Sequence, residues 1–441
     1  MIFFRVRVLL KMEKFRVPYR RFPTLFVLLS VALQACTLVP DEGSDSHDGV
    51  IHQVTDGEVG NPGAITSVSD IGWEWRPKEG ERVSEVWAGP AGAVIELDDG
   101  FIGLKGDTGE ELWRYQLPGV EKFSASFSPS GEELLVAASD EPGVMLNTVN
   151  GATIAEDIDW DYSSLLLDGG NILRRQGDST EALFEVEDLD SGKVLWRQEA
   201  PSVCSGSGDS RLISERHSKE VITLILYCAE DVSDEAIWDP APESVYTLIA
   251  IEASDGRELW RQDFENTEDP SRIDVLIFQE ILLVDLPGQE KQLMIDAVDG
   301  STIAESSELV LAVDDSKYFV GPEFESEDNP YEIRTFKGEV TASVTLSEAH
   351  HSMSTPETKI GLPDQMITVD MERGSPKDKV NAVVAPWGEE GAEIVISGTE
   401  TNHADVFEPG RLLRIPGAVL LYVPVSSTNS VESIEHVVAL R

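Results

Sequence analysis

Lys105-Gly106-Asp107-Thr108-Gly109-Glu110-Glu111-Leu112-Trp113-Arg114 is the stretch that decides how this chain folds. A turn, Thr108-Gly109, runs into a short strand carrying one large aromatic residue. Glycine takes positive φ without a Cβ clash, and Asp and Thr side-chain oxygens bond the nearby backbone, so the segment has turn chemistry. The phrase returns at Asp190-Ser191-Gly192-Lys193-Val194-Leu195-Trp196-Arg197 and at Ser254-Asp255-Gly256-Arg257-Glu258-Leu259-Trp260-Arg261. After each turn the residues alternate as on a strand, with Leu112, Leu195 and Leu259 on one face and Trp113, Trp196 and Trp260 on the other. A Trp at a fixed offset after a turn fills the gap between one sheet and the next.

Worn copies lie between these. Val149-Asn150-Gly151-Ala152-Thr153-Ile154 and Val298-Asp299-Gly300-Ser301-Thr302-Ile303 keep the turn and strand and read as having Ile in place of the aromatic. Fainter copies surround Gly338 and Gly391. The glycines at 109, 151, 192, 256, 300, 338 and 391 are spaced by 42, 41, 64, 44, 38 and 53 residues. A period near forty with four strand-like runs in each is the pattern of a β-propeller. Two long steps hold blade insertions, 229–243 with Trp238 and 350–356 with His350-His351.

Gly72-Trp73-Glu74-Trp75-Arg76 reads as a fourth strand with no strands before it, Trp75-Arg76 matching the Trp-Arg of the repeat. The C-terminus supplies three strands, 411–415, 418–424 and 435–440, with no fourth. The expected fold is therefore all-β: an eight-bladed propeller of four-stranded antiparallel blades, its ring closed by the N-terminal strand. Seven blades result if 346–397 does not form one.

The chain start reads as an address. Arg5, Arg7, Lys11, Lys14, Arg16, Arg20 and Arg21 precede an apolar run from Phe22 to Leu33, which is too short to span a bilayer and ends at Leu33-Gln34-Ala35-Cys36. That tetrapeptide resembles a bacterial lipobox, in which the cysteine is lipidated. The expected layout is a signal peptide at 1–35, an acidic disordered tether at 36–70 and the propeller at 71–441. Lipid on Cys36 would hold the domain at the extracytoplasmic face of the cell membrane. The low apolar content of 36–70 cannot order a chain on its own, and His47 and His52 within it read as solvated.

Charge excludes some partners. The chain has 34 Lys and Arg against 81 Asp and Glu, a formal net charge of -47. It lacks a basic stripe, so a nucleic-acid backbone is not a partner. Of three cysteines, Cys204 and Cys228 remain after Cys36, and an even pair in an oxidising compartment suggests one disulfide.

The Asp-x-x-Thr-Gly-x-x-x-Trp pattern, best kept over 94–113 and 246–260, resembles the repeat of the pyrroloquinoline-quinone (PQQ)-like propellers. One branch of that family is dehydrogenases using PQQ and calcium. Another is non-catalytic and includes the lipoprotein of the outer-membrane barrel-assembly machinery, similar in anchor, size and plan. The enzyme branch implies adjacent cysteines over PQQ and a Glu, Asn and Asp set on calcium. This sequence has no Cys-Cys pair and no stretch that matches those ligands. Serine-hydrolase, zinc-protease, phosphate-loop and EF-hand motifs are also missing from it.

The expectation is a monomeric, non-catalytic binding scaffold with no cofactor or metal. Its partner would be an envelope or secreted protein. The alternative is a degenerate quinoprotein or other enzyme whose residues converge at the central channel. The Trp residues outside the docking position, Trp87, Trp160, Trp238 and Trp387, are the ones free to bind something else.

Overall fold

The computed structural model describes residues 49–441, apart from 121–122, 139–140, 161–163, 205–208, 230–244, 266–272, 286–290, 315, 323–329, 347–355, 373–377, 390–391, 402–409 and 427–431. Cys36, the signal segment, Trp238, His350-His351 and Gly391 lie outside the described residues.

The chain is all-β. Two strands come first, β1 (Ile51–Gln53) and β2 (Ile71–Trp75). Then antiparallel quartets follow in order. Quartet 1 is β3–β6 (Val83–Gly89, Gly92–Leu97, Gly100–Lys105, Glu111–Gln116), and quartet 2 is β7–β10 (Phe123–Phe127, Glu133–Ala138, Gly143–Asn147, Thr153–Ile158). Quartet 3 is β11–β14 (Ser164–Leu167, Asn171–Gln176, Leu183–Asp188, Lys193–Glu199), and quartet 4 is β15–β18 (Asp209–His217, Val221–Ala229, Val245–Glu252, Glu258–Glu265). Quartet 5 is β19–β22 (Asp274–Phe278, Ile281–Asp285, Gln292–Asp296, Thr302–Ser306), and quartet 6 is β23–β26 (Leu309–Val313, Lys317–Gly321, Tyr331–Thr335, Val340–Val344). Quartet 7 is β27–β30 (Lys359–Gly361, Gln365–Glu372, Asp378–Pro386, Ile394–Thr401). Quartet 8 joins both ends of the chain. It comprises β31 (Arg411–Ile415), β32 (Ala418–Ser426) and β33 (Glu432–Leu440), with β2 paired to β33 from Ile71↔Leu440 to Trp75↔Val437. The lone bridge Val83↔Ile434 joins it to quartet 1, and β1 lengthens the combined sheet to nine strands.

Packing follows the chain order. Hydrophobic clusters are built from neighbouring quartets, for example Phe101 and Trp113 with Leu134 and Leu146 between quartets 1 and 2. Val369 and Val380 pack with Leu421 and Val438 between quartets 7 and 8. Trp73, Val437 and Tyr422 share a cluster with Val83, Ile95 and Leu104, so the last quartet packs on the first. Burying an aliphatic or aromatic side chain contributes about 1.5–3 kcal/mol, so these clusters are what hold successive sheets together.

The docking device is visible residue by residue. Trp113 Nε1 donates to Thr148 O (2.7 Å), Trp196 Nε1 to Ala253 O (2.8 Å) and Trp260 Nε1 to Ala297 O (2.8 Å). Each ring lies on the turn glycine of the next quartet: a Cβ on Gly151, Gly256 or Gly300 would meet it at 2.5–2.7 Å. These glycines have φ of +74° to +76°. Only glycine satisfies both the backbone and the ring.

Two expectations from the sequence are corrected by the strand register. Trp73, not Trp75, docks on the first quartet: its Nε1 donates to Gly106 O (2.9 Å) and its ring covers Gly109. Each Trp-bearing fourth strand has a bulge beside its Trp, and in β2 that bulge falls between Ile71 and Trp73. The Trp-Arg dipeptide at Trp75-Arg76 is therefore out of register, and Trp75 is half-buried at the edge of the same cluster. Nor does Ile154 or Ile303 stand in for the aromatic. The bulge places Ala155, Ala304 and Ala342 at the Trp position of β10, β22 and β26.

The expected tether also ends earlier than residue 70. Residues 49–70 form a strap. β1 adds to the outer edge of β6 (Ile51↔Gln116, Gln53↔Arg114). His52 Nε2 bonds Gly151 O (2.7 Å), and its ring meets Tyr115 edge-on at 5.3 Å. Thr55 N donates to Asn150 O (3.0 Å), Gly417 N to Gly63 O (2.7 Å), Asp364 N to Thr66 O (3.1 Å) and Gln365 Nε2 to Val68 O (3.0 Å). The strap gains its order by borrowing hydrogen bonds from the turns of quartets 2, 8 and 7, which its own composition could not supply.

Cys204 and Cys228 form a disulfide with Cα atoms 5.3 Å apart. It fastens the loop before β15 to the end of β16.

Candidate functional site

The first strands of successive quartets lie side by side; β3 touches β31, β7 touches β11, and β27 touches both β23 and β31. Their turns to the second strands are tied across junctions. Ser130 N and Oγ donate to Asp168 Oδ1 (3.0 and 2.6 Å), Gly170 N to Glu133 Oε2 (3.2 Å), and Ser218 Oγ to Glu280 Oε2 (2.6 Å). Burial raises the carboxyl pKa of both Glu133 and Glu280. These carboxylates are used up as fasteners between neighbouring turns.

A different group sits on the first strands of quartets 8, 1 and 2. On β3, Trp87 leaves 42% of its surface exposed, although it is a large aromatic on an inner strand. Phe127 of β7 braces it, with ring centroids 5.1 Å apart at 35°. Its Nε1 donates to Glu96 Oε2 on β4 (3.0 Å), which fixes the ring's orientation. Glu96 is the cross-strand partner of Glu85, so the two carboxylates share one face of the sheet. Burial is the main cause that raises the Glu96 pKa; the Glu85 charge adds to it, while hydrogen bonds from Trp87 and Ser84 oppose it.

Arg411 on β31 lies 3.6 Å from Glu85 and 3.3 Å from Glu357. Tyr422 Oη donates to Glu85 Oε1 at 3.5 Å, and burial drives the Tyr422 pKa upward. Arg411 thus compensates Glu85 and Glu357, while among the described residues no cation pairs with Glu96. The arrangement is an aromatic step beside an acidic, partly desolvated patch. Such a surface can stack a planar or cationic group and accept hydrogen bonds from it.

Sequence reading singled out Trp87 only because it fell outside the repeat. It missed Phe127, Glu85, Glu96 and Arg411, which come from four strands and are spread over more than three hundred residues. The signal available was the placement of Trp87 on a first strand, where the repeat needs no aromatic. Of the other watched residues, the two that are described are absorbed by packing: Trp160 joins the cluster between quartets 2 and 3, and Trp387 Nε1 donates to Leu362 O (2.8 Å). Of the repeat residues, Gly109, Trp113, Trp196, Gly256 and Trp260 lie at junctions between quartets, a Cβ at Gly192 would meet nothing within 4 Å, and Trp113 shares a hydrophobic cluster with Phe127.

A second concavity, about 480 Å³, opens between the strap and the β9–β10 turn, lined by Gly57, Glu58, Val59, Gly60, Asn147 and Val149 among others. It is shallow and has a single charged group. Among the described residues no cluster of three or more His, Cys, Asp or Glu is placed to hold a metal ion. No described helix is long and apolar enough to cross a membrane.

No protein-family model matches the chain, and no curated protein matches it. Among solved structures it is similar to BamB from Moraxella catarrhalis, at 11% identity and a TM-score of 0.41, over 85% of this chain and 100% of that one. It is also similar to the WD40 domain of SCAP from fission yeast, at 9% identity and a TM-score of 0.46, over 82% and 95%. A computationally designed protein, Ika8, is similar at 11% identity and a TM-score of 0.40, over 82% and 96%. At these values the likeness carries no argument; the fold rests on the strand topology and the packing between quartets.

Proposed function

We propose that this chain is a lipid-anchored, extracytoplasmic, eight-bladed β-propeller that acts as a binding scaffold and not as an enzyme. Three features support the ring. The described strands group into six separate quartets and two more within one nine-stranded sheet, neighbours share hydrophobic clusters, and the last quartet packs on the first through Trp73 and Gly109. The repeated clasp of a Trp on the next turn glycine supports kinship with the PQQ-like repeats. The acidic surface supports a role away from nucleic acid and anionic lipid, which leaves the lipid on Cys36 as the anchor.

One observation carries the scaffold reading: Trp87 is exposed yet held rigidly by Phe127 and Glu96. Exposed aromatics fixed in a polar frame are the anchors on which partners dock. One observation favours a second reading. Glu96, with its raised pKa, faces Glu85 across the strand pair, and two carboxylates whose environments differ are what an acid–base hydrolase uses.

The test is in vivo cross-linking from position 87 in the full chain, beside fractionation of a Cys36→Ser variant. The scaffold reading expects a discrete adduct with an envelope protein and release of Cys36→Ser from the membrane. Turnover of a small substrate that Glu96→Gln abolishes would overturn it in favour of the enzyme. Membrane retention of Cys36→Ser would overturn the anchor.

A further inference from the structure

The geometry points to the Trp87 step as a docking site for a partner segment that presents a Lys or Arg side chain, held over the indole beside the Glu96 carboxylate. The inference rests on the scaffold reading and names the chemistry of the partner.

Three observations converge. The first is aromatic: Trp87 has its ring exposed and its far side backed by Phe127, and tryptophan is the best side chain for attracting a cation to its face. The second is the local charge. Glu85 and Glu357 share the Arg411 cation, and Glu96 stands beside Glu85 across the strand pair. Glu96 is left facing Trp87 with no cationic partner among the described residues, and its carboxylate is partly desolvated. A guanidinium or ammonium arriving over the ring would complete it. The third is global: a chain of net charge -47 attracts basic segments from a distance and repels acidic ones.

The strap fits this assignment. Between Thr55 and Gly63 it runs from the turn of quartet 2 to the turn of quartet 8. It thereby ties together the three quartets that supply Phe127, Trp87 and Arg411. A site assembled from three separate sheets needs such a tie to keep its spacing when a ligand pulls on it.

The competing chemistry is a sugar ring stacked on Trp87 and hydrogen-bonded by the carboxylates. The charge balance disfavours it, because a neutral ligand would leave Glu96 unpaired in its partly buried position.

The test uses the purified full chain in detergent and reads Trp fluorescence and heat on titration. The probe is an acetylated, amidated nonapeptide alternating Lys and Gly, with maltoheptaose as the neutral probe. Titrations run at about 0.3 M salt, where screening lengths lie between ~3 and ~8 Å and diffuse attraction is weak. Saturable binding of the peptide is expected. Trp87→Ala should weaken it at least tenfold, Trp87→Phe about threefold, and Glu96→Gln several-fold. Glu339→Gln, an exposed turn acid far from the step, should change nothing. Trp87→Phe keeps the packing on Phe127, so it reads the site even if Trp87→Ala folds poorly.

Equal binding by wild type, Trp87→Ala and Trp87→Phe would show diffuse charge and overturn the site. Saturation by maltoheptaose in place of the peptide would overturn the basic partner while leaving the scaffold reading intact. Cleavage of either probe would overturn the scaffold reading itself.

Discussion

Two kinds of junction recur between successive quartets, quartets 7 and 8 apart, and they place the bulky side chain on opposite sides. At the first kind, Trp73, Trp113, Trp196 and Trp260 reach from a fourth strand onto the next turn. The residue three before the turn glycine is then small: Gly106, Thr148, Ala253 or Ala297, and its carbonyl accepts the indole N–H. At the second kind, the strand offers Ala155, Ala304 or Ala342, and bulk returns from the receiving turn. Leu189 fills the junction of quartets 2 and 3, helped by Trp160 from the connection after β10, Phe336 fills that of quartets 5 and 6, and Trp387 that of quartets 6 and 7. A Cβ added to the turn glycines there, Gly192, Gly338 or Gly388, would meet nothing within 4 Å. The volume between sheets is filled either way, and close packing demands no more than that. The two halves of each contact exchange roles.

The sharpest way to break the comparison is to remove bulk from the donating side. Trp113, 1% exposed, should cost about 3–5 kcal/mol when changed to Ala, read as a fall in the urea midpoint. Ala155→Gly, at the other kind of junction, should cost only about 1 kcal/mol, because the bulk there comes from Leu189. Next is the glycine pair. Gly256→Ala should destabilise by about 2–4 kcal/mol, since left-handed strain adds to the clash with Trp196. Gly192→Ala, with φ of +62° and open space, should show the strain alone, about 1 kcal/mol. Equal losses at both would mean that the ring does not enforce the glycine.

Exchanging the roles sharpens the comparison further. Ala155→Trp and Leu189→Ala should each destabilise alone, while the double variant recovers at least about 1 kcal/mol of coupling. A sum without coupling would refute the reciprocal filling.

The smallest effect separates two carboxyls of quartet 1. Arg114, 3% exposed, holds Glu111 through paired bonds of 2.8 and 2.9 Å and lowers its pKa. Its contribution is present above the ordinary Glu value and is lost as pH falls through the lowered one. Glu96 runs the other way: its pKa is raised, so ionising it costs stability as pH rises through the ordinary value. Glu111→Gln should therefore flatten the acid side of the stability profile. Glu96→Gln should leave the protein slightly more stable at neutral pH, read as a small rise in the urea midpoint.

The repeat was legible because a turn glycine and an aromatic at a fixed offset are both local signals. Pairing of β2 with the C-terminal strands was legible too, since a strand without predecessors must find its neighbours elsewhere. The choice of Trp73 over Trp75 was not, because the bulge that sets the register is a property of the strand pair and leaves no mark on either strand alone. Offset counting would have found the Ala positions: Ala155 and Ala304, like Trp113, lie four residues after their glycine. The strap escaped notice because its order comes from bonds to distant turns. The Trp87 step escaped for the same reason, as Glu85, Phe127 and Arg411 meet only once three quartets are in place.

The contact between the last quartet and the first rests on β2, which pairs with β33 and lays Trp73 on Gly109. Native-state hydrogen exchange of the β2 amides tests this most directly. The expected result is that β2, from Ile71 to Trp75, is protected as strongly as β33, and that Trp73→Ala lowers protection in both strands and around Gly109 together. Rapid exchange of β2 while β33 stays protected would contradict it.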